Sequence, residues 1–208
     1  MQEMADQELV RLGDVAEVFV GMASGRREGN DAGELRVVQV GDIEDRTGAV
    51  RPLKDLNLAS LSDKAGVDRY LVKAGDVVVS CKGTLLKTGI IDEPTAGALA
   101  SSNLVVVRSK GVVPAKTLFF VLRSEGAKRI LRGLQKVGST IASLSYRDIQ
   151  TLQFKVPSPE CQAQIVAVLD AQREYTELSL KAMENREELV SGLVELALWG
   201  STPQGGRQ

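Results

Sequence analysis

PECQAQIVAVLDAQREYTELSLKAMENREELVSGLVELALW, residues 159–199, decides the architecture. After Pro159 the run contains no further proline and one glycine, Gly192. It is rich in Glu, Gln, Ala, Leu and Lys, all good helix formers. One unbroken helix of this length would extend roughly 60 Å, far more than a small domain needs for its own packing. Apolar residues recur at Ile165, Leu169, Met183, Val190, Leu193 and Ala197, while Gln172, Thr176, Ser179 and Arg186 interrupt the same seam. A seam with a polar middle suits a helix that pairs with a specific partner in fixed register. A terminal helix folded back on its own domain is the alternative.

Upstream the pattern changes. The β-branched runs LRVVQV (35–40), VVVS (77–80), TGIID (88–92) and LVVVR (104–108) are separated by turns bearing Gly, Asp and Pro, as buried strands would be. They predict one strongly bent mixed sheet. PAKTLFFVLRSEGAKRILRGL (114–134) predicts two short helices, with Pro114 in the first turn and Gly126 at the break between them. The expected fold class is therefore α+β: a globular domain over residues 1–157, a long coiled-coil-forming helix over 158–200, and a disordered tail over 201–208. A chain of 208 residues is long enough for one core plus an extended element.

Composition narrows the function. Hydrophobic residues make up 43% and charged residues 25%, which argues against a disordered or fibrous chain. No apolar run is long enough to span a bilayer, and the N-terminal residues lack a signal-peptide pattern, so a soluble, cytoplasmic protein is expected. The absence of histidine excludes Ser-His-Asp and Cys-His chemistry. Cys81 and Cys161 stand far apart without a CxxC partner, so neither a zinc site nor a disulfide framework is suggested. No phosphate-cradle or dinucleotide motif is present, and there is no NPPY-type tetrapeptide. Asp42, Glu44 and Asp45 could in principle ligate magnesium in a nuclease, but DIEDRTG reads more simply as an ordinary turn.

Charge is unevenly spread. Residues 108–155 hold ten basic side chains against two acidic ones, and residues 156–199 hold three against eight. Such asymmetry lets one region face phosphates while another faces protein or water; a solvated helix face explains it equally well.

Three stretches then resemble a known family. RLGDVAEVFVG (11–21) is similar to the opening of Type I restriction-modification specificity-subunit recognition domains, where a short helix leads into a glycine loop. YLVKAGDVVVSCKGTLLKTGII (70–91) resembles the family's tyrosine-leucine start, GD turn, buried strand and G-T loop. VGSTIASLSYRDIQTLQFKVPSPECQAQIVAVLD (137–170) carries its glycine-rich loop, L-S helix and the P-x-x-x-x-Q-x-x-I-V helix start, here Pro157, Gln162, Ile165 and Val166. Cys161 and Phe154 depart from that pattern, at positions that concern the helix start.

The resemblance implies a half-length specificity subunit with one target-recognition domain and one long helix. Such a subunit is a non-catalytic reader of double-stranded DNA that directs adenine methylation and restriction to a bipartite site. Its partners would be a methylase subunit, a restriction subunit and a second copy of this chain. S-adenosylmethionine would belong to the partner methylase, with no cofactor and no metal in this chain. Long helices of this family pair antiparallel, so Ile165, Val168, Leu169, Gln172, Met183, Leu189, Leu193 and Leu196 are the expected dimer contacts.

Four segments offer base- and phosphate-contacting groups. Arg26 and Arg27 lie in the loop 21–33. Lys82, Thr84 and Lys87 surround Gly83, where a glycine allows close backbone approach. Ser101, Ser102 and Asn103 precede a strand, and Asn suits adenine. Lys136, Gly138, Ser139, Thr140, Ser143, Tyr146 and Arg147 form the last set, in which Ser143 or Ser145 would also cap a helix. A magnesium nuclease, a purely protein-binding helical scaffold, and a recognition fragment of a larger methyltransferase are the competing readings.

Overall fold

The computed structural model describes residues 9–23, 34–60, 66–135 and 143–200. In chain order the elements are β1 (Leu9–Arg11), α1 (Leu12–Val15), β2 (Ala16–Val20), β3 (Glu34–Val38), β4 (Asn57–Ser60), β5 (Val77–Ser80) and β6 (Thr88–Ile90). There follow β7 (Leu99–Ala100), β8 (Leu104–Ser109), α2 (Ala115–Arg123), α3 (Glu125–Gly133), α4 (Tyr146–Gln150), β9 (Gln153–Lys155) and α5 (Pro159–Trp199). The chain divides into two units, Met1–Gln162 and Ala163–Gln208.

The expected bent sheet resolves, among the described residues, into three separate hydrogen-bonded sheets with strand orders β2-β8-β5-β6, β4-β3-β7 and β1-β9. Pairing between these named strands is antiparallel except for β3 with β7, so the fold is mixed. Both faces of the four-stranded sheet are covered. Side chains alternate across a strand, so Val77, Val79, Val105 and Val107 pack with Leu118, Leu122 and Leu131 of α2 and α3 on one side. Val78, Leu104 and Val106 pack with Ile43, Val50, Leu56 and Ile91 on the other. That double cover is why β5 and β8 read as unbroken valine runs instead of alternating ones. Beside it, β1 and β9 bring the two ends of the globular unit together, with Leu12 N–H donating to Leu152 O at 2.8 Å.

Several predicted boundaries shift. The strand at 35–40 ends at Val38, because Val40–Asp42 turns into a short 3₁₀ segment in which Gln39 N–H donates to the Asp42 carboxylate at 2.8 Å. The break between the two central helices falls at Ser124 instead of Gly126. Ser124 adopts an extended conformation and its side chain accepts from Ala127 N–H, so a hydroxyl cap starts α3 and Gly126 lies inside it. The long helix runs over the expected 41 residues. Its start explains two motif residues: Gln162 Nε2 donates to Pro157 O at 2.7 Å and Gln162 Oε1 accepts from Thr117 Oγ1 at 3.3 Å. Cys161 N–H donates to Ser158 Oγ at 3.3 Å, so the departure at Cys161 leaves the cap in place.

In the second unit Val168, Met183, Leu189, Leu193 and Leu196 are exposed within the single chain, each by more than half of its surface. Val168, Tyr175, Ala182, Leu189 and Leu196 recur every seven residues. Ile165 is partly buried and Gln172 exposed. The tail 201–208 and the side chain of Leu169 lie outside the described residues. Among the described residues, no helix is long and apolar enough to cross a membrane.

Candidate nucleic-acid interface

The loops singled out from sequence leave the four-stranded sheet at one end. Strand directions alternate, so the end of β2, the end of β5 and the starts of β6 and β8 share a rim. Backbone hydrogen bonds stitch it together. Gly21 N–H donates to Leu104 O at 2.9 Å, Met22 N–H to Ala100 O at 2.8 Å, Cys81 N–H to Asn103 O at 2.8 Å and Leu144 N–H to Cys81 O at 2.9 Å. Lys82 and Ser143 form an antiparallel bridge. Residues 82, 103 and 143, remote in sequence, therefore stand side by side. Gly21 permits the crossing, since a Cβ there would lie 2.3 Å from Ser101 O.

The 80–87 loop is folded on itself. Ser80 Oγ donates to Thr84 O and accepts from Lys87 N–H, the latter at 2.8 Å. Gly83 sits at φ +73 with open space where a Cβ would be, a left-handed turn position that favours glycine. Lys82, Gly83 and Thr84 are exposed, as is Asn103 in the neighbouring turn; Ser102 is half-buried. Ser101 Oγ is buried without a hydrogen-bond partner among the described residues. Below the rim, burial pushes the Cys81 thiol up, which leaves it neutral at physiological pH and suited to packing more than to reaction.

Capping of α4 falls to Ser145 and not to Ser143. Asp148 N–H donates to Ser145 Oγ at 3.1 Å and Ser145 N–H returns to the Asp148 carboxylate at 2.8 Å. Tyr146 is half-buried and Arg147 exposed, with Arg147 Nε 3.4 Å from the Tyr146 hydroxyl, a contact that raises its already high pKa. Arg26, Arg27, Lys136, Gly138, Ser139 and Thr140 lie outside the described residues.

Part of the basic segment 108–155 is committed to the fold, while Lys116, Arg129, Arg132 and Lys155 are exposed. Arg108 forks onto buried Asp76 through Nε at 2.8 Å and Nη2 at 2.7 Å, and also donates to Leu71 O. Lys110 Nζ binds Gly13 O at 2.8 Å. Arg123 donates to Asp45 O and Arg46 O, and Lys128 pairs with Glu125 at 3.1 Å. Lys87 also has a protein partner: its Nζ is 3.2 Å from Asp45 Oδ1, and its side chain keeps 16% exposure. Part of the positive run is thus structural, and among the rim cations singled out from sequence Lys82 and Arg147 are the exposed ones.

The carboxylates considered for magnesium are occupied in turns. Asp42 accepts from Gln39 N–H, and Glu44 accepts from the amides of Arg46 and Thr47 and from the Thr47 hydroxyl. Burial raises the Glu44 carboxyl, but those hydrogen bonds outweigh it and hold the group below its ordinary value. No cluster of three or more His, Cys, Asp and Glu side chains able to hold a metal occurs among the described residues.

Residues 4–185 match the family described as the Type I restriction modification DNA specificity domain. The chain belongs to that family. Members are non-catalytic and recognise the DNA target. The fold is similar to that of the HsdS subunit from Thermoanaerobacter tengcongensis, with a TM-score of 0.59 at 19% identity over 98% of this chain and 51% of that one. A chain from a structure concerning complex assembly and conformational transition of the type I R-M system matches with a TM-score of 0.58 at 19% identity, covering 97% of this chain and 50% of its own length. The Type I S subunit from M. genitalium matches with a TM-score of 0.58 at 13% identity over 92% and 46% of the two chains. This specificity chain therefore spans about half the length of the solved structures it matches. No curated protein matches it.

Proposed function

We propose that this specificity chain reads one half of a bipartite DNA site through the rim formed by the 80–87 loop, the 101–103 turn and residues 143–147. It directs a partner adenine methylase, which holds the S-adenosylmethionine, and a restriction subunit joins the same complex. The observation that carries this reading is the convergence: exposed Lys82, Thr84, Asn103 and Arg147 come from three distant segments onto one sheet end. Cations there set position on phosphates, while Thr and Asn offer hydrogen bonds to base edges.

Two copies of the chain pair through antiparallel long helices. The half-length match supports this, since one recognition unit per chain becomes two under a two-fold axis. The half-sites must then be inverted repeats, separated by no more than the roughly 60 Å that the helix spans. Mapping methylated motifs in cells that express this chain with its methylase tests the whole reading. An inverted bipartite adenine motif is expected, and a motif without inverted symmetry would refute the homodimer.

Two residue-level results follow. Lys82→Ala/Arg147→Ala should weaken binding to target and non-target duplexes alike and lower the salt slope by about 0.9 for each phosphate that the two cations neutralise. Thr84→Ala or Asn103→Ala should instead reduce discrimination between sites by about 1–3 kcal/mol and leave nonspecific affinity nearly intact. Equal loss of all DNA binding in both variants would reassign Thr84 and Asn103 to fold stability.

A further inference from the structure

The turn at residues 42–50, an ordinary turn by sequence, extends the four-stranded sheet beyond β6. Ile90 N–H donates to Gly48 O at 3.0 Å, and Ala49 pairs with Ile90 in parallel. Parallel pairing carries the residues before Gly48 toward the Thr88 end of β6, where the 80–87 loop joins it. The Lys87–Asp45 ion pair at 3.2 Å lies there. The turn thus stands on the proposed DNA-reading rim, outside Lys87, with Arg46 at its tip.

Arg46 is presented in an unusual way for a surface arginine. Its amide donates to Glu44 Oε1 at 2.9 Å and its carbonyl accepts from Arg123 Nη2 at 2.8 Å, so side chains hold its backbone on both sides. The same Nη2 also donates to Asp45 O at 3.1 Å, and the Arg123 guanidinium lies 5.2 Å from the centre of the Phe119 ring. Gly48 lets the turn close on that stack: it sits at φ +71, and a Cβ there would fall 2.5 Å from Phe119 Cζ. The Arg46 side chain itself is exposed. Of its acidic neighbours, Asp45 pairs with Lys87, and Glu44 is held by three donors of its own turn while also feeling the Arg46 charge. Holding the backbone in advance removes part of the ordering cost of binding. A guanidinium on such a mount suits the bidentate geometry of a phosphate.

We propose that Arg46 contacts the DNA backbone from this rim and that Arg123 is a positioning residue for it. The proposal rests on the DNA-reading function proposed above. The test is fluorescence anisotropy of the full-length protein with a labelled mixed-sequence duplex and a labelled target duplex, across a potassium chloride series. Arg46→Gln should weaken both duplexes equally, roughly three- to tenfold at low salt, and lower the salt slope by about 0.9; Arg46→Lys should restore most of the slope. Arg123→Lys keeps a cation but loses the fork onto two carbonyls. It should weaken binding too, with Arg46→Gln/Arg123→Lys no weaker than Arg46→Gln alone, a non-additivity that a general loss of stability would not produce. An unchanged slope in Arg46→Gln, while Lys82→Gln lowers it, overturns the Arg46 assignment alone. Altered discrimination between the two duplexes overturns the phosphate role. Salt-independent or absent binding by the unaltered protein overturns this inference together with the DNA-reading function.

Discussion

Asp76→Ala is expected to destabilise the globular unit by about 3 kcal/mol, because it strips a buried ion pair of one partner. The Asp76 side chain keeps 2% exposure and Arg108 20%, and Arg108 forks onto both carboxylate oxygens. Lys73 N–H donates to the same carboxylate at 2.8 Å, so alanine leaves three N–H donors without their acceptor and a half-buried cation without its counter-charge. An arginine guanidinium keeps its proton at any accessible pH, so Arg108 cannot escape the penalty by becoming neutral. Urea denaturation followed by circular dichroism measures the effect. A loss below about 1 kcal/mol would show that the pair behaves as a surface ion pair. The double change Asp76→Leu/Arg108→Met should recover much of the loss, because replacing both partners removes the orphaned charge.

Leu189→Glu/Leu193→Glu is expected to convert a dimer of the specificity chain into monomers. Both leucines are exposed in the single chain, at 68% and 65%, and an antiparallel partner would bring Ile165, Val168 and Leu169 against them. Burying one leucine contributes roughly 1.5–3 kcal/mol. A two-fold axis counts each substitution twice, so the double change removes on the order of 6–12 kcal/mol. That is comparable to the whole association energy of a micromolar complex, about 8 kcal/mol. Light scattering on the unaltered and altered proteins decides the matter, with circular dichroism confirming that the helix persists. An unaltered protein that stays monomeric at high micromolar concentration would rule out the homodimer and leave a different chain as the partner of α5.

Local features of the fold were open to sequence reading because their causes are local. The helix from Pro159 to Trp199 follows from composition and the absence of breakers after Pro159, and the strands at β5 and β8 from short β-branched runs between turns. The misplaced helix break has an equally local cause. Gly126 looked like the stronger interruption, yet the Ser124 hydroxyl satisfies an exposed N–H of the first turn of α3, and glycine there costs only about 1 kcal/mol. What nearest neighbours could not reveal was that the expected single sheet would be three among the described residues.

The sequence by itself determined the mixed fold class with its long C-terminal helix and the likeness to the DNA specificity family, and it singled out the segments proposed to meet DNA. Only the tertiary structure decided which of those groups are free and where they meet. Arg108 finds Asp76 across 32 residues, and Arg123 finds the carbonyls of Asp45 and Arg46 across 78 and 77. Counting charge along residues 108–155 could not separate these structural cations from exposed Arg147. Helices and strands arise from spacings of two to four residues, which a sequence displays directly. A cation's partner, and so its freedom to meet a phosphate, depends on where the chain returns after tens of residues. Here that is set by the pairing of β2, β8, β5 and β6 and by the bridge from Lys82 to Ser143.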